Sequence, residues 1–168
     1  MGQAADKSGE AAGLYLAGRQ AYLARVRSQR GRLPVVAAHL TETLDADPGV
    51  AASQLREHLL AVGGGRMPRR LWTCIQSPGM VLQALRVPQV RASAMVSAAF
   101  WTLKKERNLH TEDTVFDIER LRTVEEEGMQ RIELLAVAVP KAEMDEHRKE
   151  IAALGAEVCG VSPPGFAF

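Results

Sequence analysis

The chain is poor in the residues that mark several protein classes. It has 2 cysteines in 168 residues, Cys74 and Cys159, far apart and each in an apolar, strand-like run. That excludes a disulfide framework and leaves two buried free thiols as the expectation. Aromatic residues make up 5 %, too few to interleave with the arginines as a single-strand nucleic-acid binder requires. Neither sign of charge dominates. The formal net charge is +1, so no global field favours nucleic acid or an acidic membrane. No apolar run approaches the length of a bilayer span. His39, His58, His110 and His147 lack metal-ligand spacing, and no cofactor motif is present, so neither metal nor cofactor is expected. The opening MGQAADKSGEAA has no hydrophobic core, and Asp6 stands where a myristoylation signal needs Ser or Thr. Residues 1–10 read as a disordered leader.

What is present is a regular alternation of strands and helices. Gly13 to Ala17 reads as a short strand. Ala21 to Gln29 alternates apolar and polar positions, as an antiparallel partner does. Arg30-Gly31 makes a turn into a third strand, Leu33 to Leu40, and Pro34 assigns it to a sheet edge. Asp47-Pro48 is a helix N-cap followed by proline at the first helical position. Ala51, Leu55, Leu59 and Val62 then repeat at helical spacing, and Gly63-Gly64-Gly65 stops the helix. Leu71 to Gln76 is a fourth strand, broken at Pro78-Gly79.

A second group of elements follows. Met80 to Val87 reads as a strand, and Ala92, Val96, Ala99, Phe100 and Leu103 stripe a helix. Thr114 to Val124 and Gln130 to Val139 are strands joined by a hairpin signal at Glu126-Glu127-Gly128. The nearly unbroken apolar run Leu134 to Val139 predicts a strand buried on both faces. A helix with Met144, His147, Ile151 and Leu154 on one face comes next, then a short strand through Cys159. This strand–helix–strand ending predicts a crossover in a mainly parallel sheet, hence an α/β protein. The order β-β-β-α-β, β-α-β-β, α-β admits two partitions. One is a ribonuclease-H-like or actin-like half with the middle β-α-β-β inserted. The other is a ferredoxin-like unit over Met80 to Ser162.

No catalytic motif survives inspection. Gly63-Gly64-Gly65-Arg66 follows a helix and lacks the Gly-Lys-Ser/Thr ending of a phosphate loop. Gly160-Val161-Ser162-Pro163-Pro164-Gly165 misses the nucleophile-elbow spacing, and Pro163 blocks the helix that should follow. Glu125, Glu126 and Glu127 read as a solvated acidic turn rather than an acid/base pair, and His147 as a half-buried packing residue. Arg25, Arg27, Arg30, Arg32, Arg66, Arg69 and Arg70 read as solvated charges. Trp101 is either a border residue packed on its helix, which is the expectation, or an exposed partner contact beside Lys104-Lys105.

Three stretches carry a family resemblance: LRVPQVRASAMVSAAFWTLKKE (Leu85 to Glu106), DTVFDIERL (Asp113 to Leu121) and LLAVAVPKAEMDEHRKEIAALGAEVCGVSPPGFAF. They contain a strand ending at a proline, a helix with an aromatic before basic residues, an Asp-centred strand, and a strand ending Val-Pro-Lys. The closing phrase Phe166-Ala167-Phe168 stands where the family has Phe-Ala-Leu. In these respects the chain resembles the actin-like pilus-assembly protein PilM and its relatives FtsA and the cytoplasmic part of GspL. The resemblance implies an actin-like subdomain 1A over residues 11–77 and 141–168, with an SHS2-like subdomain 1C inserted at 78–140. It further implies a cytoplasmic scaffold of a type IV pilus or type II secretion platform, peripheral to the inner membrane through its partners. The implied partner is the cytoplasmic tail of a PilN-like membrane protein, held in a groove between 1A and 1C, near Ser77, Pro78, Gly79, Pro140 and Lys141. Nucleic acid is not an implied partner, membrane contact is indirect, and homo-oligomers are compatible.

The departures from the family bear on chemistry. Members that bind ATP have an Asp, a Gly-rich turn and then a Lys around the first two strands. Here the Asp position holds Tyr15, the first turn glycine is Ala17, the Lys position is Tyr22, and Gly18 remains. The phosphate turn is degenerate, so no enzyme activity is expected. Half of an actin-like nucleotide-binding ATPase is the alternative.

Overall fold

A computed structural model describes residues 9–28, 33–68, 70–107, 109 and 112–164. The Arg30-Gly31 turn, Arg32, Arg69, His110, the residues of the leader before Gly9 and the closing Phe166-Ala167-Phe168 lie outside them. Two compact units emerge. One combines the described residues up to Gln76 with those from His147 onward, and the other is Ser77–Glu146.

The first unit is built on a five-stranded sheet. Strands β1 (Glu10–Ala17), β2 (Gln20–Arg27) and β3 (Val35–Thr43) form an antiparallel meander, and β4 (Leu71–Cys74) and β8 (Val158–Ser162) run parallel to β1. The order is β3-β2-β1-β4-β8. The edge position that Pro34 predicts for β3 is where the strand lies. Strand β1 begins at Glu10, inside the expected leader, because its register continues outward to pair Glu10 with Arg27, whose guanidinium bonds the carboxylate at 2.8 Å.

Helix α1 (Pro48–Val62) joins β3 to β4. Its start is fixed by Asp47, whose side chain accepts from the backbone N–H groups of Gly49 and Val50. Proline at the first helical position loses nothing, since its missing N–H would have been an orphan there. Leu55, Leu59 and Val62 are buried as their spacing predicts, and the Gly63 and Gly65 N–H groups close the last turn onto Leu59 and Leu60. One apolar cluster joins Ala12 and Leu14 of β1, Ala21 and Leu23 of β2, Leu71 of β4, the α1 stripe, and Ile151 and Leu154.

The second unit holds a three-stranded antiparallel sheet, order β5-β7-β6: β5 (Val81–Pro88), β6 (Thr114–Glu126) and β7 (Met129–Pro140). Helix α2 (Ala92–Arg107) follows β5 and packs Met95, Ala99 and Leu103 against Leu85, Val87, Ile132, Leu134, Ala136 and Ala138. The β6–β7 hairpin turns at Glu127 and Gly128, with φ of 53° and 74°. Two successive left-handed residues make the type I′ turn that matches the twist of the flanking strands.

The structure departs from expectation at β7, at the terminal strand–helix–strand and at α2. Strand β7 is not buried on both faces along its length, nor does the sheet it joins run parallel. It pairs antiparallel with both neighbours, and burial alternates along it from Ile132 to Ala138, with both faces buried at Ala138 and Val139. Leu135 and Val137 lie on the less-buried face and are themselves apolar, which erased the alternation from the sequence. Strand β8 pairs with β4 and not with β5, β6 or β7, so the terminal strand–helix–strand is no crossover within one sheet and the ferredoxin-like partition fails. The stripe of α2 is also rotated: Val96 is 47 % exposed, and Met95 takes the buried position. An alanine-rich helix carries too little apolar contrast to fix its phase.

Helix α3 (Lys141–Ala153) runs from the second unit into the first. Met144, Ile151 and Leu154 are buried, with His147 half-buried among them in sequence, as the spacing predicts. Cys74 is buried, but Cys159 is exposed, against expectation, because it lies on an edge strand where the β4–β8 register shifts. Among the described residues no helix is long and apolar enough to cross a membrane.

Candidate functional site

Two places in the structure gather the residues that the sequence singles out. The first is the turn between β1 and β2. Ala17 pairs with Gln20, leaving Gly18 and Arg19 as the two-residue turn, and Gly18 has φ of 59°. Arg19 ties this turn down: its Nε donates to the Leu44 carbonyl at 2.9 Å, and its own carbonyl accepts from Leu44 N–H. Tyr15 and Tyr22 face each other across the strands, and their rings stack with centroids 5.7 Å apart. The phosphate site of the ATP-binding proteins that the sequence resembles needs a carboxylate for the metal and bare N–H groups for phosphate. At the Asp and Lys positions this chain has two phenol rings in contact with one another. Among the described residues no group of three or more His, Cys, Asp or Glu is arranged to hold a metal.

The second place lies within the Ser77–Glu146 unit. Ser77, Pro78, Gly79 and Met80 form a turn closed by Met80 N–H donating to the Ser77 carbonyl at 3.1 Å. This turn sits against the end of β7 and the first turn of α3. A Cβ added to Gly79 would lie 2.6 Å from Pro140 Cγ and 2.9 Å from Glu143 Oε1, so only glycine allows the approach. Ser77 Oγ donates to Glu143 Oε2. The Lys141 N–H donates to the Asp113 carbonyl at 2.7 Å, which anchors the start of α3 to the chain entering β6. Ser77, Gly79 and Pro140 are thus brought together, with Pro78 and Lys141 exposed at their side.

Glu143 is the member that sequence reasoning missed. It is the acidic residue of the first turn of α3, where a carboxylate complements the helix dipole. That position after Pro140-Lys141 was the available signal. The cluster offers two prolines, an exposed ammonium and a carboxylate with one oxygen already committed.

A third polar pair stiffens the first unit. Thr73 is buried on β4, and its Oγ1 shares a 2.8 Å hydrogen bond with His147 Nε2. Burial pushes the His147 imidazole below its ordinary pKa, with Glu150 opposing in part. This is the packing histidine that its place on the α3 stripe predicts. Trp101, expected to pack at the border of α2, is instead 61 % exposed. It lies on the opposite side of the helix from Ala99, and so its position in the helical repeat points it away from the sheet.

A mixed sheet with two helices, joined to a small antiparallel sheet with one, defines an actin-like α/β fold, and solved structures share it. The chain superposes on a chain of the structure described as the PilM-PilN type IV pilus biogenesis complex, with a TM-score of 0.74 and 18 % identity, covering 94 % of this chain and 48 % of that one. It also matches the cytoplasmic domain of EpsL, an inner-membrane component of the type II secretion system of Vibrio cholerae. There the TM-score is 0.58 and the identity 14 %, over 92 % of this chain and 57 % of that one. The fold is therefore of the PilM/GspL type, and the chain spans about half the length of these neighbours. No protein-family model matches the chain, and no curated protein matches it by sequence.

Proposed function

We propose that the chain is a non-enzymatic scaffold of a type IV pilus or type II secretion assembly platform, binding the cytoplasmic tail of a PilN-like inner-membrane protein. The observation that carries the reading is the fold, shared over 94 % of the chain with a component of a PilM–PilN complex. In this reading the five-stranded unit corresponds to subdomain 1A and the three-stranded unit to the SHS2-like 1C. The protein is cytoplasmic and reaches the membrane through its partner. The tail engages Ser77, Pro78, Gly79, Pro140 and Lys141, where Glu143 fixes the turn and Lys141 offers a charge to an acidic residue of the tail. The reading of a chain without ATP hydrolysis draws on Tyr15 and Tyr22, which stand where the resemblance aligns the Asp and Lys of ATP-binding members and stack on one another.

Isothermal titration with synthetic tail peptides of the membrane protein encoded beside this chain tests the reading. Micromolar affinity is expected, weakened about tenfold by Lys141→Glu, which is a loss of about 1.4 kcal/mol. No heat with any such tail overturns it. A melting-temperature rise with Mg-ATP would instead favour the nucleotide-binding alternative.

A further inference from the structure

The three-stranded unit carries a surface that the partner-tail reading leaves unused. Helix α2 buries Met95, Ala99 and Leu103, and half a turn away its solvent side presents Ala94, Ser97, Trp101 and Lys105, all exposed. A tryptophan at the solvent pole of a helix gives up its burial energy unless something covers it. Trp101 is also held in place. Phe116 of β6 meets Phe100 edge to face at 5.2 Å, and Phe100 meets Trp101 in the same manner at 6.0 Å. On the outer side Lys104 Nζ stands 5.0 Å from the centre of the Trp101 ring.

Charge is sorted around this ring. The last turn of α2 carries Lys104, Lys105 and Arg107. Glu106, the acidic residue of the helix, accepts from Gln83 Nε2 of β5 at 2.5 Å, and Arg107 Nε donates to Gln83 Oε1 at 2.9 Å. The acid and the arginine are thereby held to Gln83 on the β5 side, while the Trp101 indole and Lys105 are exposed on the solvent side with Lys104 beside the ring.

We propose that this pole of α2 docks on an anionic phospholipid surface, with the Trp101 indole at headgroup depth and Lys104 and Lys105 against the phosphates. An indole has an apolar ring and a donor N–H, the combination that settles at a membrane–water interface. Lysines beside it add attraction that depends on lipid charge and salt. The small residues Ala94 and Ser97 let the helix lie close to a smooth surface. A protein hot spot would instead need a ring of contacts to exclude water around the indole. The contact is independent of the tail-binding reading. Where a tail also tethers the chain beneath a membrane, the raised local concentration makes even a weak lipid contact count.

The test uses the full chain in a Trp72→Phe background, so that Trp101 is the remaining one of 2 tryptophans. It is mixed with vesicles of phosphatidylcholine alone or with added phosphatidylglycerol, at low salt and without peptide. Co-sedimentation with the anionic vesicles and a blue shift of indole emission are expected, both fading as salt rises. Trp101→Ala, and separately Lys104→Glu with Lys105→Glu, should each reduce partitioning at least about fivefold. Circular dichroism checks the fold of each variant. No association with anionic vesicles, equal association with neutral ones, or association unchanged by both α2 variants overturns the proposal. Trp101-dependent binding to an acidic protein without vesicle binding also overturns it. Failure of the peptide titration leaves this result untouched, so the two readings fail separately.

Discussion

The two sheets solve the same problem differently. Each covers one face with helix and leaves the other less buried, but one open face is aromatic while the other sets ion pairs beside the apolar Leu135 and Val137. In the first unit the uncovered side of β1, β2 and β4 carries Gly13, Tyr15, Tyr22 and Trp72. Tyr22 is 43 % and Trp72 48 % exposed, and the Trp72 ring lies over Gly160 of β8. In the second unit the corresponding side carries an ion-pair ladder. Arg86 of β5 reaches Glu126 and Glu133, Arg122 of β6 bonds Glu133 at 2.6 Å, and Arg131 lies as an ion pair 2.8 Å from Glu126. An aromatic stack is indifferent to salt, whereas pairs of opposite charge are weakened by it. The lesson is that the same secondary-structure logic leaves the outer face free for composition to decide what it meets.

The largest effect should come from the faces the units share in kind. Leu59 and Leu134 are each fully buried, in the first and second cores respectively. Leu59→Ala and Leu134→Ala should each cost about 2–5 kcal/mol, read from urea denaturation midpoints. A cost under about 1 kcal/mol at either site would break the assignment of that core. Next comes the hairpin of the charged sheet. Gly128 has φ of 74°, so Gly128→Ala strains the turn and should cost about 1 kcal/mol in thermal melting.

Smaller effects sharpen the contrast between the open faces. Tyr22→Ala removes the stack on Tyr15 and should cost about 0.5–1.5 kcal/mol beyond the area it buries, unchanged by salt. Glu133→Gln should have a lesser effect that disappears at high salt, because Arg122 and Arg86 hold the Glu133 carboxyl below its usual pKa through exposed partners. If both variants respond alike to salt, the contrast is wrong. A pH effect belongs to the first unit. The folded-state pKa of His147 lies below the unfolded one, so folding favours the neutral ring. Its contribution is present above about pH 6.5 and is lost as pH falls through that value toward the folded one. Melting temperatures on either side of that pH should show the fall in the parent chain and a smaller one in His147→Gln.

Local chemistry was legible in the sequence wherever a backbone group had a single solution. The Asp47-Pro48 cap, the Glu127-Gly128 turn, the edge position of β3 and the face of α3 were all readable. Three features were hidden for physical reasons. The outer face of β7 uses Leu135 and Val137, so its period was masked. The many alanines of α2 left its phase open and with it the exposure of Trp101. The bond from Ser77 to Glu143 joins residues far apart in sequence, and no local pattern announces it. The clustering of Ser77, Gly79 and Pro140 came from the family resemblance rather than from spacing.

Cys74 and Cys159 offer a last consequence. Cys159 stands open on the edge of its sheet, whereas Cys74 is buried on β4 between two neighbours and its thiol is held above its ordinary pKa by desolvation. A maleimide dye will therefore label the native molecule at one position without any substitution. The second thiol reacts only when β4 parts from the strands beside it, which makes its labelling rate a clock for local opening of the five-stranded sheet.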